Sequence, residues 1–266
     1  MEKIIMLGTG SATVKNCYNT CFVLNCDDEY LLVDAGGGNG ILKQLDLATI
    51  PLSKIKNMIV THSHSDHVLG VVWIFRMIAT MIINGQYEGN FYIYCHDEVA
   101  NTIKTMVSLT LQKKLCNLLD KRIFIVVVND GQCFDIVKRK ITFFDIHSTK
   151  IKQFGFSMQL KAGKLTCLGD EPYNELCYSY AFNAKWLLCE AFCLCSQRDI
   201  FKPYEKHHST VKDASLTATK LAVENLLLYH SEEMNLANRK QLYYQEASQY
   251  FTGNIYIPDD LEEYLL

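Results

Sequence analysis

Three histidines and one aspartate fall within six positions, in Thr61-His62-Ser63-His64-Ser65-Asp66-His67. Imidazole nitrogen and carboxylate oxygen are ligands that zinc accepts. Four such groups on so short a stretch can converge on a metal pair. With eight His in 266 residues, an H-x-H-x-D-H arrangement is improbable by chance. The apolar run Met58-Ile59-Val60 precedes the stretch, and Val71-Val72-Trp73-Ile74-Phe75 follows it. That order predicts a buried strand delivering a polar loop to the edge of a sheet, with a helix carrying the chain away.

The same pattern recurs downstream. His147 stands beyond a predicted strand at 140–145, Asp170 beyond one at 164–168, Glu190 at the end of one at 184–188, and His230 beyond one at 226–228. Open α/β sheets place their sites at the carboxyl ends of strands, so these residues can share one pocket. A two-metal hydrolytic site needs about three protein ligands per metal and a bridging carboxylate. His62, His64, Asp66, His67, His147, Asp170 and His230 supply that inventory. Spacing alone does not assign which residue serves which metal. His96 has no partner in the set and reads as structural or exposed.

The elements that must position these groups follow from apolar patterning. Further strands are predicted at 3–7, 19–24, 30–34, 91–94, 123–128 and 254–257, and a hairpin at 154–160 and 164–168. Helices are predicted at 41–47, about 97–119, 213–225 and about 236–250. Val71 to Ile83 contains Arg76 and is too short to span a membrane, so it reads as a buried helix. The glycine-rich Asp34-Ala35-Gly36-Gly37-Gly38-Asn39-Gly40 matches neither phosphate-loop pattern. It reads as a tight crossing that lets backbone approach a buried site. Strand-rich stretches in both halves, each followed by helices, predict one domain over 1–266: an α/β fold of two packed sheets with outer helices.

Bulk properties narrow the function. Apolar residues make up 49% and charged residues 21%, which is ordinary for a globular chain. A net charge of −3 argues against a general electrostatic grip on nucleic acid. Eleven cysteines without paired C-x-x-C spacing, and a strand-like run starting directly after Met1-Glu2-Lys3, predict a cytoplasmic chain with reduced thiols. Cys189, Cys193 and Cys195 read as packing residues.

Taken together, His62-x-His64-x-Asp66-His67, His147, Asp170 and His230 resemble the metallo-β-lactamase superfamily. Further motifs resemble its ribonuclease Z branch: Leu7-Gly8-Thr9-Gly10-Ser11-Ala12, Leu168-Gly169-Asp170, Leu188-Cys189-Glu190-Ala191-Phe192, and His208-Ser209-Thr210 followed by Asp213-Ala214. The resemblance runs from residue 5 to about 231. It implies a four-layer αββα sandwich with two mixed sheets. It also implies two zinc ions, with manganese or iron as alternatives. His62, His64 and His147 would hold one ion, Asp66, His67 and His230 the other, and Asp170 would bridge them. Asp66 would also orient a metal-bridging hydroxide. His208 would protonate the leaving oxygen and Glu190 would hold its imidazole; the Ser-Thr that follows selects His208 over His207.

Departures from the branch bear on the substrate. Ribonuclease Z enzymes commonly carry a long arm that grips transfer RNA, in the bacterial short form between the segments matching His147 and Asp170. Here the hairpin fills that interval, and Glu171 stands where the branch usually has Thr. Lys138, Arg139, Lys140, Lys150 and Lys152 form the local basic group to consider for phosphate contacts, and they read as a solvated face. The expectation is therefore a phosphodiesterase for a small or short nucleotide-like substrate, with structured RNA not favoured and no membrane partner. The alternatives are an arm-less transfer RNA 3′-processing nuclease, a hydrolase of another ester (thioester, lactone or sulfate ester), and a non-catalytic zinc-binding protein. A homodimer is expected by analogy with the branch, through Val71–Ile83 or through Tyr243, Tyr244 and Tyr250.

Overall fold

Period-two alternation divides each central strand between two apolar layers. In strand β1 (Glu2–Gly8), Ile4 and Met6 enter one layer while Ile5 and Leu7 enter another. Because both faces are covered, the strand reads in sequence as a continuous apolar run. The computed structural model describes residues 1–266. After β1 come β2 (Cys21–Cys26), β3 (Glu29–Val33), helix α1 (Gly40–Leu47), β4 (Ile55–Ile59), α2 (Ser65–Ile83), β5 (Phe91–Cys95), α3 (Asp97–Thr110), the single turn α4 (Lys113–Cys116) and β6 (Ile123–Val127). The second half holds β7 (Cys133–Ile136), β8 (Arg139–Asp145), β9 (Phe154–Leu160), β10 (Gly163–Cys167), the short α5 (Tyr178–Ala181), β11 (Trp186–Glu190), the short α6 (Arg198–Phe201), α7 (Val211–Lys220), β12 (Asn225–Tyr229), α8 (Arg239–Ala247), β13 (Asn254–Tyr256) and β14 (Glu263–Leu265).

The strands form two seven-stranded sheets, ordered β14-β1-β2-β3-β4-β5-β6 and β13-β12-β11-β10-β9-β8-β7. In the first, β14, β1, β2 and β3 pair antiparallel, and β3 to β6 run parallel. The second repeats the scheme: β7 to β10 are antiparallel and β10 to β13 parallel. A core of 24 buried residues lies between the sheets, including Met6 and Leu31 from one and Phe143 and Leu188 from the other. A second core packs the first sheet against α1, α2 and α3, and a third packs the second sheet against α7 and α8. The result is the four-layer αββα sandwich of two mixed sheets.

Some elements depart from expectation. Helix α2 begins at Ser65, so Asp66 and His67 lie in its first turn rather than in a loop. A carboxylate there is favoured by the helix dipole. The helix expected over 97–119 stops at Thr110, where Leu111 turns to extended backbone and a separate short turn follows. Strands β7 and β14 had no counterpart in the predicted elements. The 154–168 hairpin forms as β9 and β10 and, with the short strap that precedes it, fills the interval between His147 and Asp170.

Surface features also sort themselves. The basic group is divided among acidic partners: Arg139 with Glu2 and Asp27, Lys138 with Glu29, and Lys152 with Asp97. All eleven cysteines are free, and burial, with Glu232 adding to it, pushes the Cys193 thiol up to about 12, which leaves it inert. Tyr243 belongs to the core, whereas Tyr244 and, on α2, Leu69, Trp73 and Met77 are exposed.

Candidate active site

The parallel strands of both sheets end on the same edge of the sandwich. Beyond β4 the chain presents His62 and His64, and α2 then presents Asp66 and His67. Opposite them, β10 leads through Gly169 to Asp170, β11 ends in Glu190, and β12 leads to His230. Gly169 takes φ +80, and a Cβ there would lie 2.3 Å from Gln153 Oε1. Only glycine makes this turn, which lets the Asp170 amide donate to that same oxygen at 2.9 Å.

Asp170 Oδ2 lies 3.4 Å from each of three Nε2 atoms, those of His62, His67 and His230. Asp66 Oδ2 lies 3.4 Å from the Nε2 of His67 and of His230. These spacings are long for charge-assisted hydrogen bonds. They match the separation of about 3.4 Å between ligands held about 2.1 Å from a tetrahedral ion. Three donor groups emerge, each with its atoms within 4.8 Å of one another: His62 with His67 and Asp170, Asp66 with His67 and His230, and, to one side, Glu190 with His208 and His230. His67 Nε2, Asp170 Oδ1 and His230 Nδ1 are buried without any hydrogen-bond partner. The orphaned His67 Nε2, within 3.4 Å of both the Asp66 and the Asp170 carboxylates, is the kind of buried atom a metal ion would satisfy. The residues present therefore fit such ions.

His64 is half-buried, its Nδ1 3.0 Å from His62 Nε2. His147 is not brought into the cluster: it takes φ +59 just past β8, and its ring is exposed. Its amide donates to Asp145 Oδ1 at 2.7 Å. His96 is fully buried against Phe154, and neither ring nitrogen has a partner.

The charges are set by competition. Burial alone would raise the carboxyl of Asp170, but His62, His67 and His230 outweigh it and hold it well below the usual range. Burial likewise opposes the Asp66 carboxylate, and His230 and His67 reverse the balance. His62 is driven well below its usual value by burial. His67 resists the same burial because Asp34, Asp170 and Asp66 surround it, and it rises.

Two supporting residues were not foreseen. Asp34 Oδ2 accepts from His67 Nδ1 at 2.8 Å and from the Thr61 hydroxyl at 2.8 Å, while Oδ1 accepts from the Thr61 amide at 2.8 Å. This bond fixes the His67 tautomer and aims Nε2 into the cluster. The only signal was an aspartate closing β3 ahead of the glycines. Arg239, 1% exposed, reaches the Ser231 hydroxyl at 2.7 Å, the Thr9 hydroxyl at 3.0 Å and the Pro258 carbonyl at 2.8 Å. It so locks the segment next to His230.

Beside the cluster lies His208. Its Nδ1 sits 2.9 Å from the Asp170 carbonyl and 3.7 Å from Glu190 Oε2. The ring stacks on Phe192, with centroids 5.0 Å apart, and lies 5.1 Å from His230. Glu190 is fully buried, and its Oε1 accepts from the Ser209 amide. Burial, then Asp170 and Asp213, raise its carboxyl well above the usual range. Burial, with His230 and Lys150 adding to it, lowers His208 to about 3.

An αββα sandwich with this donor cluster at the strand ends defines a class: a metal-dependent hydrolase of the metallo-β-lactamase superfamily, in its ribonuclease Z-like branch. Within it, the chain belongs to the family described as anti-Pycsar protein Apyc1, whose sequence profile matches residues 2–243. Relatives include the ribonuclease Z of Methanococcus aeolicus, 23% identical over 98% of this chain and 97% of the relative. The anti-Pycsar protein Apyc1 of Bacillus phage BSP38 is 40% identical over a shorter stretch, 26% of this chain and 27% of the relative. Among solved structures, the metallo-β-lactamase fold protein YhfI of Bacillus subtilis superposes with a TM-score of 0.81 at 19% identity, covering 99% of this chain and 98% of its own. The human short-form tRNase Z superposes with a TM-score of 0.75 at 21% identity, covering 99% and 98%.

Proposed function

We propose that this chain is a two-metal phosphodiesterase for small, short nucleotide-like substrates, with zinc as the resident ion. The observation that carries the reading is Asp170 Oδ2, equidistant from three imidazole nitrogens with His208 immediately beside it. One ion would be held by His62 and His64, with His147 completing its set, the other by Asp66, His67 and His230, and Asp170 would lie between them. Bound there, the ions would make a water acidic enough to attack and would take up charge on the attacked oxygen.

The protein's own residues set the rest. His208 Nδ1–H donates to the Asp170 carbonyl, which leaves Nε2 to hand a proton to the leaving oxygen. Stacking on Phe192 restricts the ring to that orientation. The Glu190 carboxyl, anchored by the Ser209 amide, stands 3.7 Å from His208 Nδ1 and helps hold the ring in place. A phosphodiester carries negative charge, and its arrival raises the lowered His208 toward the working range. Names of relatives agree with phosphoester chemistry, ribonuclease Z among the curated proteins and a diphosphatase of the PhnP family among fold neighbours. The divided basic group and the filled 147–170 interval favour a small substrate over structured RNA.

The test combines elemental analysis with a substrate panel. Near two equivalents of metal per chain are expected, with turnover of bis(p-nitrophenyl) phosphate and of nucleotide phosphodiesters. Activity on a lactone alone would overturn the reading.

A further inference from the structure

Helix α2 does more than present Asp66. Leu69 and Trp73 follow Asp66 at i+3 and i+7, so all three share one side of the helix, about 4.5 and 10.5 Å further along its axis. Here the helix leaves the cluster and borders a cavity of about 380 Å³, walled by Gly37, Gly38, Leu69, Trp73, Arg76 and Met106. That volume is within the range of small-ligand pockets, which begins at about 300 Å³.

The glycine loop that borders the cavity also reaches the cluster end of the helix. The Gly70 amide donates to the Gly36 carbonyl at 2.9 Å, and the Ala35 amide to the His67 carbonyl at 3.0 Å, so the glycine loop lies on the first turns of α2. A Cβ on Gly37 would come 3.9 Å from the Asp66 Cα. A Cβ on Gly38 would meet nothing within 4 Å, so the loop leaves this space open. Trp73 is 38% exposed, against 3% for the other tryptophan, Trp186.

We infer that this cavity is the seat of the nucleobase on the non-leaving arm of a nucleoside phosphodiester, an inference that rests on the function proposed above. An indole offers a flat face for stacking, the guanidinium of Arg76 supplies donors for a base edge, and Leu69 and Met106 close the apolar sides. The phosphodiester then reaches the cluster one to two helical turns back toward Asp66. The glycines are the reason the base fits.

Two measurements test it. The first compares thymidine 5′-(p-nitrophenyl phosphate) with methyl p-nitrophenyl phosphate, which share a leaving group and differ in the base-bearing arm. The wild type should prefer the nucleoside ester in kcat/KM, and Trp73→Ala and Gly38→Leu should each reduce that preference about tenfold. Gly38→Leu fills the cavity without displacing a neighbour, and melting temperatures near wild type will show that both variants fold. An unchanged preference in both overturns the proposal. So does an unchanged preference accompanied by a change in particle size, which makes the face a subunit contact.

The second measurement needs no turnover. Thymidine 5′-monophosphate should quench Trp73 fluorescence saturably, and Gly38→Leu should abolish the effect. Absence of saturable quenching in the wild type at millimolar nucleotide overturns the proposal. Retained quenching without hydrolysis of either ester supports the base seat while sinking the phosphodiesterase reading.

Discussion

The donor cluster and the strap at residues 147–153 lie on the same edge of the sandwich but are held in different ways. In the cluster buried groups back several members, His67 by Asp34, His62 by Thr61 and the turn at Asp170 by Gln153. The strap is tied by two side-chain contacts: Ser148 donates to the buried Glu171 at 2.6 Å, and Lys152 meets the exposed Asp97 at 2.7 Å. His147 therefore stays exposed while Asp66, His67, Asp170 and His230 are buried. The difference teaches that one side of the site is built by folding alone, and the other has room to adjust.

Breaking the rigid side should have the largest effect. Asp170→Asn removes the shared carboxylate, and activity is expected to fall at least about 10³-fold with loss of bound metal on elemental analysis. Retention of both ions would refute the shared position. Next comes His208→Ala, which should keep the metal content. With thymidylyl-thymidine, whose leaving group is a poor alkoxide, the loss should be about 10²- to 10⁴-fold. With bis(p-nitrophenyl) phosphate, whose leaving group needs no proton, it should be under about tenfold. Equal losses on both would remove His208 from proton transfer.

Asp34→Ala tests support from behind the cluster. It frees the His67 tautomer, and metal affinity measured by competition with a chelator should drop about 10- to 100-fold. On the strap side of the comparison the effects should be smaller. His147→Ala should weaken one ion about tenfold and leave the other. If both are lost together, the two sides are not independent. Glu171→Ala should loosen the strap, with a change in stability within about 1 kcal/mol in urea titration, as expected for one hydrogen bond at the margin of the site.

The parts of this site that sequence reading reached are those whose meaning is local. Six positions from His62 to His67 announce metal chemistry, and polar residues after strands announce the common edge. Asp34 escaped because its role is a contact 33 residues away, to His67 Nδ1, and nothing beside it in sequence shows that. The start of α2 was misjudged because the metal-binding pattern looks like a loop, whereas Asp66 also suits a helical first turn. Strand β7 (Cys-Phe-Asp-Ile) and strand β14 (Glu-Tyr-Leu) are short sheet-edge strands mixing charge with apolar residues, too brief for period-two alternation to register. His147 was placed correctly beyond its strand, but a one-residue left-handed turn decides where its ring points, and sequence carries no trace of that choice. Glu171 looked like a departure from the branch, and the fold uses it to tether Ser148.

The Arg239 lock has a consequence for the chain as it leaves the ribosome. Its guanidinium joins Thr9, Ser231 and Pro258, and the residues it steadies stand beside His230, whose Nε2 meets Asp66 across 164 positions. Contacts of such long range form late, after most loop-closure entropy has been spent. A nascent chain that has emerged only through α2 displays His62, His64, Asp66 and His67 with no Asp170 or His230 to meet them. The full donor set thus comes into being only when both sheets have closed on one another, so the moment at which the cluster can hold metal becomes a timestamp for the end of folding.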